Sequence, residues 1–216
     1  MRRALFAAIA SCALPGAFAA DDSGTPVAEA PANPDYSFCT VCHGAQGNGN
    51  RAINAPKIAG IEPWYLKHQL MQFRAGTRGT KATDLSGMEM QPVGMQLDDA
   101  SIEAVAALVA TFKPKAPAVT VHGDAKRGRA LYESCSGCHG ARGEGNGALK
   151  APALAGQTDW YLVTQLERFR AGERGFAPED VQGSQMRAAA VVLLDSNAVN
   201  DVVAYINALT TRRGGT

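Results

Sequence analysis

Two short cysteine motifs constrain this chain more than any other feature of its sequence. Residues 39–43 read C-T-V-C-H and residues 135–139 read C-S-G-C-H. This spacing is typical of sites where two thiols bond to the vinyl groups of one porphyrin and the next residue binds its iron. We therefore expect two covalently attached haem c groups. The attaching residues are Cys39, Cys42, Cys135 and Cys138, and the iron-binding residues are His43 and His139.

Other sites also use two cysteines separated by two residues. A redox-active dithiol and one half of a zinc site both have this spacing. Neither of them requires a histidine directly after the second cysteine, however. Because the histidine is present in both motifs, the sequence favours haem attachment over these alternatives.

The two motifs belong to a longer repeat. Their cysteines and histidines are offset by 96 residues, and the same offset recurs along the following stretch. Such self-similarity indicates a duplicated unit. We predict a first domain over residues 21–113, a proline-containing linker over 114–122 and a second domain over 123–216. Matching pairs outside the motifs include Tyr36/Tyr132, Gly60/Gly156, Trp64/Trp160, Gln69/Gln165, Phe73/Phe169 and Gly76/Gly172.

Each predicted domain shows the apolar spacing of helices. Residues 64–74 and 160–170 place leucine and phenylalanine at i, i+4 and i+7, a pattern that predicts one buried helical face. Residues 98–112 and 195–209 place apolar residues at i, i+3, i+7 and i+10, again on one helical face, behind an aspartate suited to the N-cap. Residues 124–133 predict an opening helix in the second domain. The fold class expected is all-α, with three to five short helices in each domain.

The N-terminus is typical of an export signal. Residues 1–20 contain two arginines, a short apolar run and an A-x-A cleavage site, and the apolar run is too short for a permanent membrane span. Lipoprotein processing at Cys12 is a lesser alternative. Removal of residues 1–20 leaves four cysteines, all within the two motifs. Export also agrees with haem attachment, which takes place outside the bacterial cytoplasm.

Composition excludes some classes of function. The chain has 216 residues, a net charge of +1 and 46% hydrophobic residues. These values indicate a globular protein, neither disordered nor a general nucleic-acid binder. Charge is nevertheless uneven. Residues 21–113 contain seven basic and ten acidic residues, whereas residues 114–216 contain twelve basic and ten acidic residues. We expect this asymmetry to orient the protein between two unlike redox partners.

One methionine occupies the same place in each copy. Met90 and Met186 both follow the motif histidine by 47 residues, within a shared G-x-x-M pattern. A methionine at a fixed distance from a haem histidine suits the sixth iron ligand, and we expect it on a loop. Met88 and Met95 compete with Met90, but neither has a counterpart in the second copy. A haem with six ligands has no position for substrate, so the sequence predicts electron transfer.

The sequence resembles the tandem dihaem class I cytochromes c of the cytochrome c4 kind. The resemblance is carried by the runs C-x-x-C-H-G-x-x-G-x-G-N and A-P-x-[IL]-A-G, by the W-Y-L-x-x-Q-L-x-x-F-R-A-G-x-R-G helix and by the late methionine. It implies two class I cytochrome c domains, each wrapped around a covalently bound haem. It also implies that a carbonyl near Pro56 and Pro152 orients the axial histidine.

The same resemblance implies a biological role. The protein would be a monomeric periplasmic electron carrier, soluble or loosely attached to the membrane. Its partners would be redox proteins, namely a quinol-oxidising complex as donor and a terminal oxidase or another reductase as acceptor. Two alternatives remain open: an electron-accepting subunit of one dehydrogenase or oxidase, and a dihaem peroxidase or haem-based sulfur oxidase. An enzyme would need an open iron face or cysteine ligation, and the chain has no spare cysteine after removal of residues 1–20.

The remaining charged and polar residues of the repeat allow two interpretations. Arg74, Arg78, Arg170 and Arg174 lie at or beyond the end of the W-Y-L helix. They could interact with the helix C-terminus, the interpretation we favour, or pair with haem propionates. His68 and His122 are the spare histidines. We expect His68 to be a solvated side chain and His122 to lie in the linker.

Overall fold

The computed structural model describes residues 34–213, with side chains to residue 209. The predicted signal segment 1–20 and the leader that follows it lie outside this range. The described residues are helical and contain no strand, which agrees with the predicted all-α fold. The first domain contains α1 (Pro34–Ser37), α2 (Thr40–His43), a 3-10 turn (Arg51–Ile53), α3 (Pro63–Ala75), α4 (Leu85–Gln96) and α5 (Asp99–Ala110). The second contains α6 (Ala125–His139), α7 (Asp159–Arg170), α8 (Val181–Ala190) and α9 (Ser196–Arg213).

The two cores use the helical faces that the sequence predicts. In the first domain, Leu66 and Leu70 of α3 are buried in one cluster with Ile102, Val105 and Val109 of α5. Burial of each such side chain stabilises the fold by about 1.5–3 kcal/mol. The second domain repeats the arrangement between α7 and α9, with Leu162, Val199, Val202 and Ile206.

The helix that carries each haem motif differs between the domains. In the second domain α6 continues without a break through the motif to His139, whereas in the first domain residues 38–39 separate α1 from α2. Within the described residues, the opening helix of the first domain is thus interrupted at the motif, unlike that of the second. A buried tyrosine fastens each motif to the next loop, since Tyr36 donates to the Gly44 carbonyl at 2.9 Å and Tyr132 to that of Gly140 at 2.8 Å.

The prediction of a loop around Met90 and Met186 is wrong, because both methionines lie on helices, α4 and α8. Each helix begins behind an N-cap aspartate. Gly94 allows α4 to pack tightly on α3, since a Cβ at this position would lie 2.8 Å from the Cβ of Phe73. Close packing of this kind outweighs the helix-breaking tendency of the glycines and of Pro92, which lies inside α4.

The segment between α5 and α6 is extended and is bound to both domains. Lys115 donates its backbone N–H to Asn48 of the first domain at 3.3 Å. Thr120 and Val121 donate theirs to the buried carboxylate of Asp159 at 2.5 and 2.8 Å. Within residues 34–213, no helix is both long and apolar enough to cross a bilayer.

Candidate haem sites

The two motif histidines have the same environment. His43 and His139 are 6% and 7% exposed, and their Nδ1 atoms lie 2.8 and 2.7 Å from the carbonyl oxygens of Pro56 and Pro152. A carbonyl only accepts, so Nδ1 carries the proton and Nε2 retains the lone pair that can bind a metal. Burial lowers the pKa of both imidazoles, and the carbonyl opposes this shift. Both rings are therefore held as neutral, oriented ligands.

The glycine-rich loop after each motif positions this carbonyl. In the first domain Gly49 donates to the His43 carbonyl at 3.0 Å, and Asn50 and Ala55 exchange hydrogen bonds at 2.8 and 3.0 Å. Gly49 has φ +80°, and a Cβ there would lie 2.7 Å from the carbonyl oxygen of Ala55. Only glycine allows the loop to pass so close to the segment that contains Pro56. Gly145, Asn146 and Ala151 repeat the pattern.

The cysteines of each motif differ in exposure. Cys42 and Cys138 are exposed, whereas Cys39 and Cys135 are half-buried. In both motifs one sulfur therefore faces the core and the other lies at the surface.

The structure brings each predicted methionine to its motif. Met90 lines one cleft together with Cys39, Cys42 and His43. Met186 lines the other with Cys135, Cys138 and His139. Met88 and Met95, the competitors of Met90, are 43% and 62% exposed and are absent from the lining of that cleft.

Arg74 and Arg170 lie in the last turn of their helices, as the preferred interpretation requires, but both also bind beyond it. Arg74 donates to the Leu97 carbonyl at 3.1 Å and Arg170 to that of Leu194 at 2.8 Å. Both therefore fasten the segment that leads into the last helix of their domain. Arg78 and Arg174 are instead buried between the two domains.

Arg78 and Arg174 form a polar cluster with Gln69 and Gln165 at the centre of the molecule. Gln69 accepts hydrogen bonds from Arg78 at 2.5 Å and from Arg174 at 2.9 Å. Gln165 accepts from the same two arginines at 3.0 and 2.8 Å. All four residues are at most 7% exposed. Both glutamines line both clefts, and each arginine lines the cleft of its own domain.

This cluster tests whether the clefts suit a haem. The two buried guanidinium groups lie together, and the acceptors of their hydrogen bonds are neutral oxygens. The Nε atom of Arg78 is buried without a hydrogen-bond partner in the described residues. Buried cations require anions close by. The carboxylate groups of haem propionates have the required charge and acceptors, so the residues present fit the cofactor.

His68 is not the solvated side chain predicted from the sequence. It is half-buried, lines the cleft of the second domain and lies with its Nε2 atom 2.9 Å from Nε2 of Gln72. The prediction failed because the face of α3 opposite Leu66 and Leu70 packs against the second domain. His122 is exposed in the connecting segment, as expected.

The contacts between the domains that sequence reasoning missed include two at equivalent positions. The carboxylate of Asp84 pairs with Arg168, and that of Asp180 accepts a hydrogen bond from Gln72. Both positions are offset by 96 residues between the copies, so the repeat contained a signal. Nothing in the sequence alone showed that these polar side chains would be buried.

Comparison with known proteins agrees with this geometry. The family model for cytochrome c matches residues 35–113 and again residues 125–210. The chain belongs to the cytochrome c family. It is 36% identical to cytochrome c4 of Thiocapsa roseopersicina over 203 residues, which cover 89% of this chain and 96% of that protein. Each half of the chain is thus one cytochrome c domain.

Two further relatives extend the comparison. The thiosulfate dehydrogenase electron acceptor of Stutzerimonas stutzeri is 36% identical over 168 residues, covering 73% of this cytochrome and 74% of the relative. The solved structure of Acidithiobacillus ferrooxidans cytochrome c4 is 30% identical with a TM-score of 0.63, covering 79% of this cytochrome and 98% of that chain.

These matches confirm the fold, the cofactors and the general activity predicted from the sequence. The protein is a dihaem electron-transfer cytochrome similar to cytochrome c4, with two covalently bound haem c groups. Its relatives are electron-transfer cytochromes, and its partners are redox proteins.

Proposed function

We propose that this cytochrome is a periplasmic carrier of single electrons whose two haem irons are each closed by one histidine and one methionine. Cys39 and Cys42 attach the first haem, and Cys135 and Cys138 attach the second. His43 and Met90 bind the first iron, and His139 and Met186 the second. The observation that carries this proposal is that each methionine lines the same cleft as an oriented, neutral histidine.

The surrounding residues explain why such a site suits electron transfer. When bound, each haem supplies an iron that changes by one electron between Fe(III) and Fe(II). Pro56 and Pro152 fix the imidazole rings, so the ligand geometry changes little when the charge changes. Arg78 and Arg174 place buried positive charge at the interface, where they would pair with propionate groups of both haems. No residue is then required to bind substrate, so we propose that the protein is not an enzyme.

The proposed partners are a quinol-oxidising complex as donor and a terminal oxidase or another reductase as acceptor. The protein would act as a monomer, either soluble or loosely attached to the membrane, after export with residues 1–20 removed. Charge asymmetry would help to orient it. However, residues 34–113 contain seven basic and seven acidic residues, so the acidic excess of the first domain comes from residues 21–33.

A second candidate function has a specific observation in its favour. The 36% identity to a thiosulfate dehydrogenase electron acceptor supports a cytochrome that serves one dehydrogenase. Both candidates use the same haem sites, so the partner alone distinguishes them. Purification of the tagged protein from its native host would recover one stoichiometric dehydrogenase under the second candidate, and no stable partner under the first.

A redox titration of the intact protein tests the proposed ligands. We expect two one-electron steps and a methionine–iron(III) absorption band at the red end of the spectrum from both haems. The Met90→Ala and Met186→Ala proteins should each lose about half of that band and lower one midpoint potential. Met88→Ala is the matched control and should change neither. An unchanged spectrum in both ligand variants would exclude methionine ligation.

A further inference from the structure

The helices that carry Met90 and Met186 begin at equivalent aspartates. The Asp84 side chain accepts a hydrogen bond from the backbone N–H of Gly87 at 2.8 Å, and that of Asp180 accepts one from Gly183 at 2.8 Å. Each methionine follows its N-cap aspartate by six residues, fewer than two helical turns. A displacement of the first turn of either helix would therefore also displace its methionine.

Each N-cap carboxylate is also bound by a side chain of the other domain. Arg168, on α7 of the second domain, pairs through Nη1 with Asp84 and donates from Nη2 to the hydroxyl of Ser86 at 3.1 Å. Both of its partners lie in the first turn of α4 or just before it. Asp84 is fully buried, and its Oδ2 atom has no hydrogen-bond partner in the described residues.

The reverse contact runs from the first domain to the second. Gln72 of α3 donates from Nε2 to Oδ1 of Asp180 at 2.5 Å, and the same nitrogen lies 2.9 Å from Nε2 of His68. Asp180 is 3% exposed. An amide nitrogen has two protons, so Gln72 can donate to both neighbours when His68 Nε2 is unprotonated.

The two contacts occupy equivalent positions, because Gln72 and Arg168 are offset by 96 residues, as are Asp84 and Asp180. They differ in strength. The first is a buried ion pair with a second hydrogen bond to Ser86, and the second is a hydrogen bond from a neutral amide. Both contacts end on a carboxylate, but only the first also joins two opposite full charges at a buried position.

We propose that each domain positions the sixth iron ligand of the other: Arg168 holds the helix that presents Met90, and Gln72 holds the helix that presents Met186. Both are positioning residues, since neither binds the iron. The inference rests on the proposed ligand roles of the two methionines. Contact between the domains is therefore part of each iron site, and Met90 is the more firmly held of the two.

Competition by imidazole tests this proposal, because an external ligand binds ferric haem c only where the methionine is displaced. Imidazole is titrated into the ferric holoprotein, and each haem is followed by its paramagnetically shifted NMR signals, assigned from the Met90→Ala and Met186→Ala proteins. Arg168→Gln replaces the buried ion pair by at most the amide contact that Gln72 makes with Asp180, and should raise the imidazole affinity of the first haem about tenfold. The second haem should stay within about twofold.

The reciprocal variant gives the crossed result. Gln72→Ala should raise the imidazole affinity of the second haem by a smaller factor, about threefold, and leave the first haem unchanged. A role confined to packing within its own domain would instead alter the haem of the domain that carries the substitution, although Arg168 and Gln72 themselves line the cleft of the other domain. Equal changes at both haems, or changes only within the substituted domain, would overturn the proposal.

Two further proteins separate positioning from general damage. Arg170→Gln makes the same substitution two residues away on α7, where the arginine binds within its own domain, and the first haem should not respond. Arg168→Ala with Asp84→Asn removes the contact between domains without leaving a buried charge unpaired. It should still show the raised affinity at the first haem, and a return to the original affinity would contradict the proposal.

The methionine variants make failure of the ligand assignment recognisable. Met90→Ala should raise the imidazole affinity of the first haem far more than Arg168→Gln does. If Met90→Ala has no effect, the ligand assignment is wrong. If Met90→Ala acts as expected and Arg168→Gln does not, the assignment stands and the positioning role is wrong.

Discussion

Arg174 of the second domain donates a hydrogen bond to Gln69 of the first domain at 2.9 Å. Arg78 donates in the opposite direction to Gln165 at 3.0 Å. Two positive charges are therefore buried where the domains meet. Positive charge near an iron stabilises its reduced state, because reduction removes one positive charge from the site. We therefore expect these two charges to favour electron uptake, in opposition to the buried carboxylates of Asp84 and Asp180.

Arg78→Gln should lower the midpoint potential of the first-domain haem. Loss of a buried cation beside the site should shift it by about 60 mV, which corresponds to a tenfold change in a one-electron equilibrium. Spectroelectrochemical titration measures this shift. Arg74→Gln removes an arginine near the surface that pairs with Asp99 and serves as control. Equal shifts in the two variants would show that the effect is long-range charge and not the buried site.

Gly49→Ala should displace the Pro56 carbonyl from His43. An added Cβ would lie 2.6 Å from the Lys57 nitrogen, so the loop must move. We expect a loss of about 2–3 kcal/mol in the free energy of unfolding, measured with denaturant on the holoprotein. Gly44→Ala is matched, with φ +75° but no atom within 4 Å of the new Cβ. If both variants lose equal stability, backbone strain explains the result without displacement.

Asp159→Asn should loosen the segment between the domains and change the acid stability. Burial raises the pKa of Asp159, but hydrogen bonds from Thr120 and Val121 outweigh burial, so the pKa lies below its ordinary value. A lowered carboxyl pKa stabilises the fold above the unfolded pKa of about 3.9, and this contribution is lost as pH falls through the folded value.

At pH 7 the free energy of unfolding of the Asp159→Asn protein should therefore be about 2 kcal/mol lower than that of the parent protein. This difference should shrink in acid. Denaturant unfolding at pH 7 and pH 3.5 measures both effects. Asp195→Asn serves as control, because Asn still caps α9 through the contact that Asp195 makes with Ala198. A difference that is unchanged in acid would contradict the role of the ionised carboxylate.

His68→Gln should reduce the pH dependence of stability near neutrality. Burial lowers the pKa of His68 from its ordinary 6.5; Asp180 opposes this shift, while Arg174 and Lys150 reinforce it. The unfolded chain then binds a proton more readily than the folded one, so stability falls as pH drops from about 6.5 towards the folded pKa. Thermal unfolding at pH 7.5 and pH 5.5 measures this loss.

The matched control for this experiment is His122→Gln, which removes the exposed histidine of the connecting segment. The loss of stability between the two pH values should be smaller in the His68 variant than in the parent protein, and unchanged in the His122 variant. Equal behaviour of the two variants would show that His68 does not titrate in this range.

The sequence predicted those features that depend on local spacing. The haem motifs, the 96-residue repeat and the apolar faces of α3, α5, α7 and α9 all follow from patterns within single helices or between copies. The core positions Leu66, Leu70 and Val105 could be named because a buried helical face has a fixed period.

The features it did not predict depend on how the domains pack. Gln69 and Arg174 are 105 residues apart along the chain, and polar residues of this kind are mostly found at surfaces. The helix around Met90 was missed for a related reason, since Gly87, Pro92 and Gly94 favour a loop until close packing on α3 is known. Tertiary contacts outweighed local propensity in both cases.

The crossed pattern at the interface has a consequence for the origin of the molecule. Gln69 and Gln165 each serve both arginines, so the contact could equally be made by two identical single-domain chains related by a two-fold axis. After fusion of two such chains, a residue in one domain would no longer have to be identical to the equivalent residue in the other. The difference between Gln72 and Arg168 is one that a symmetric pair could not have acquired, and it gives the two halves separate identities.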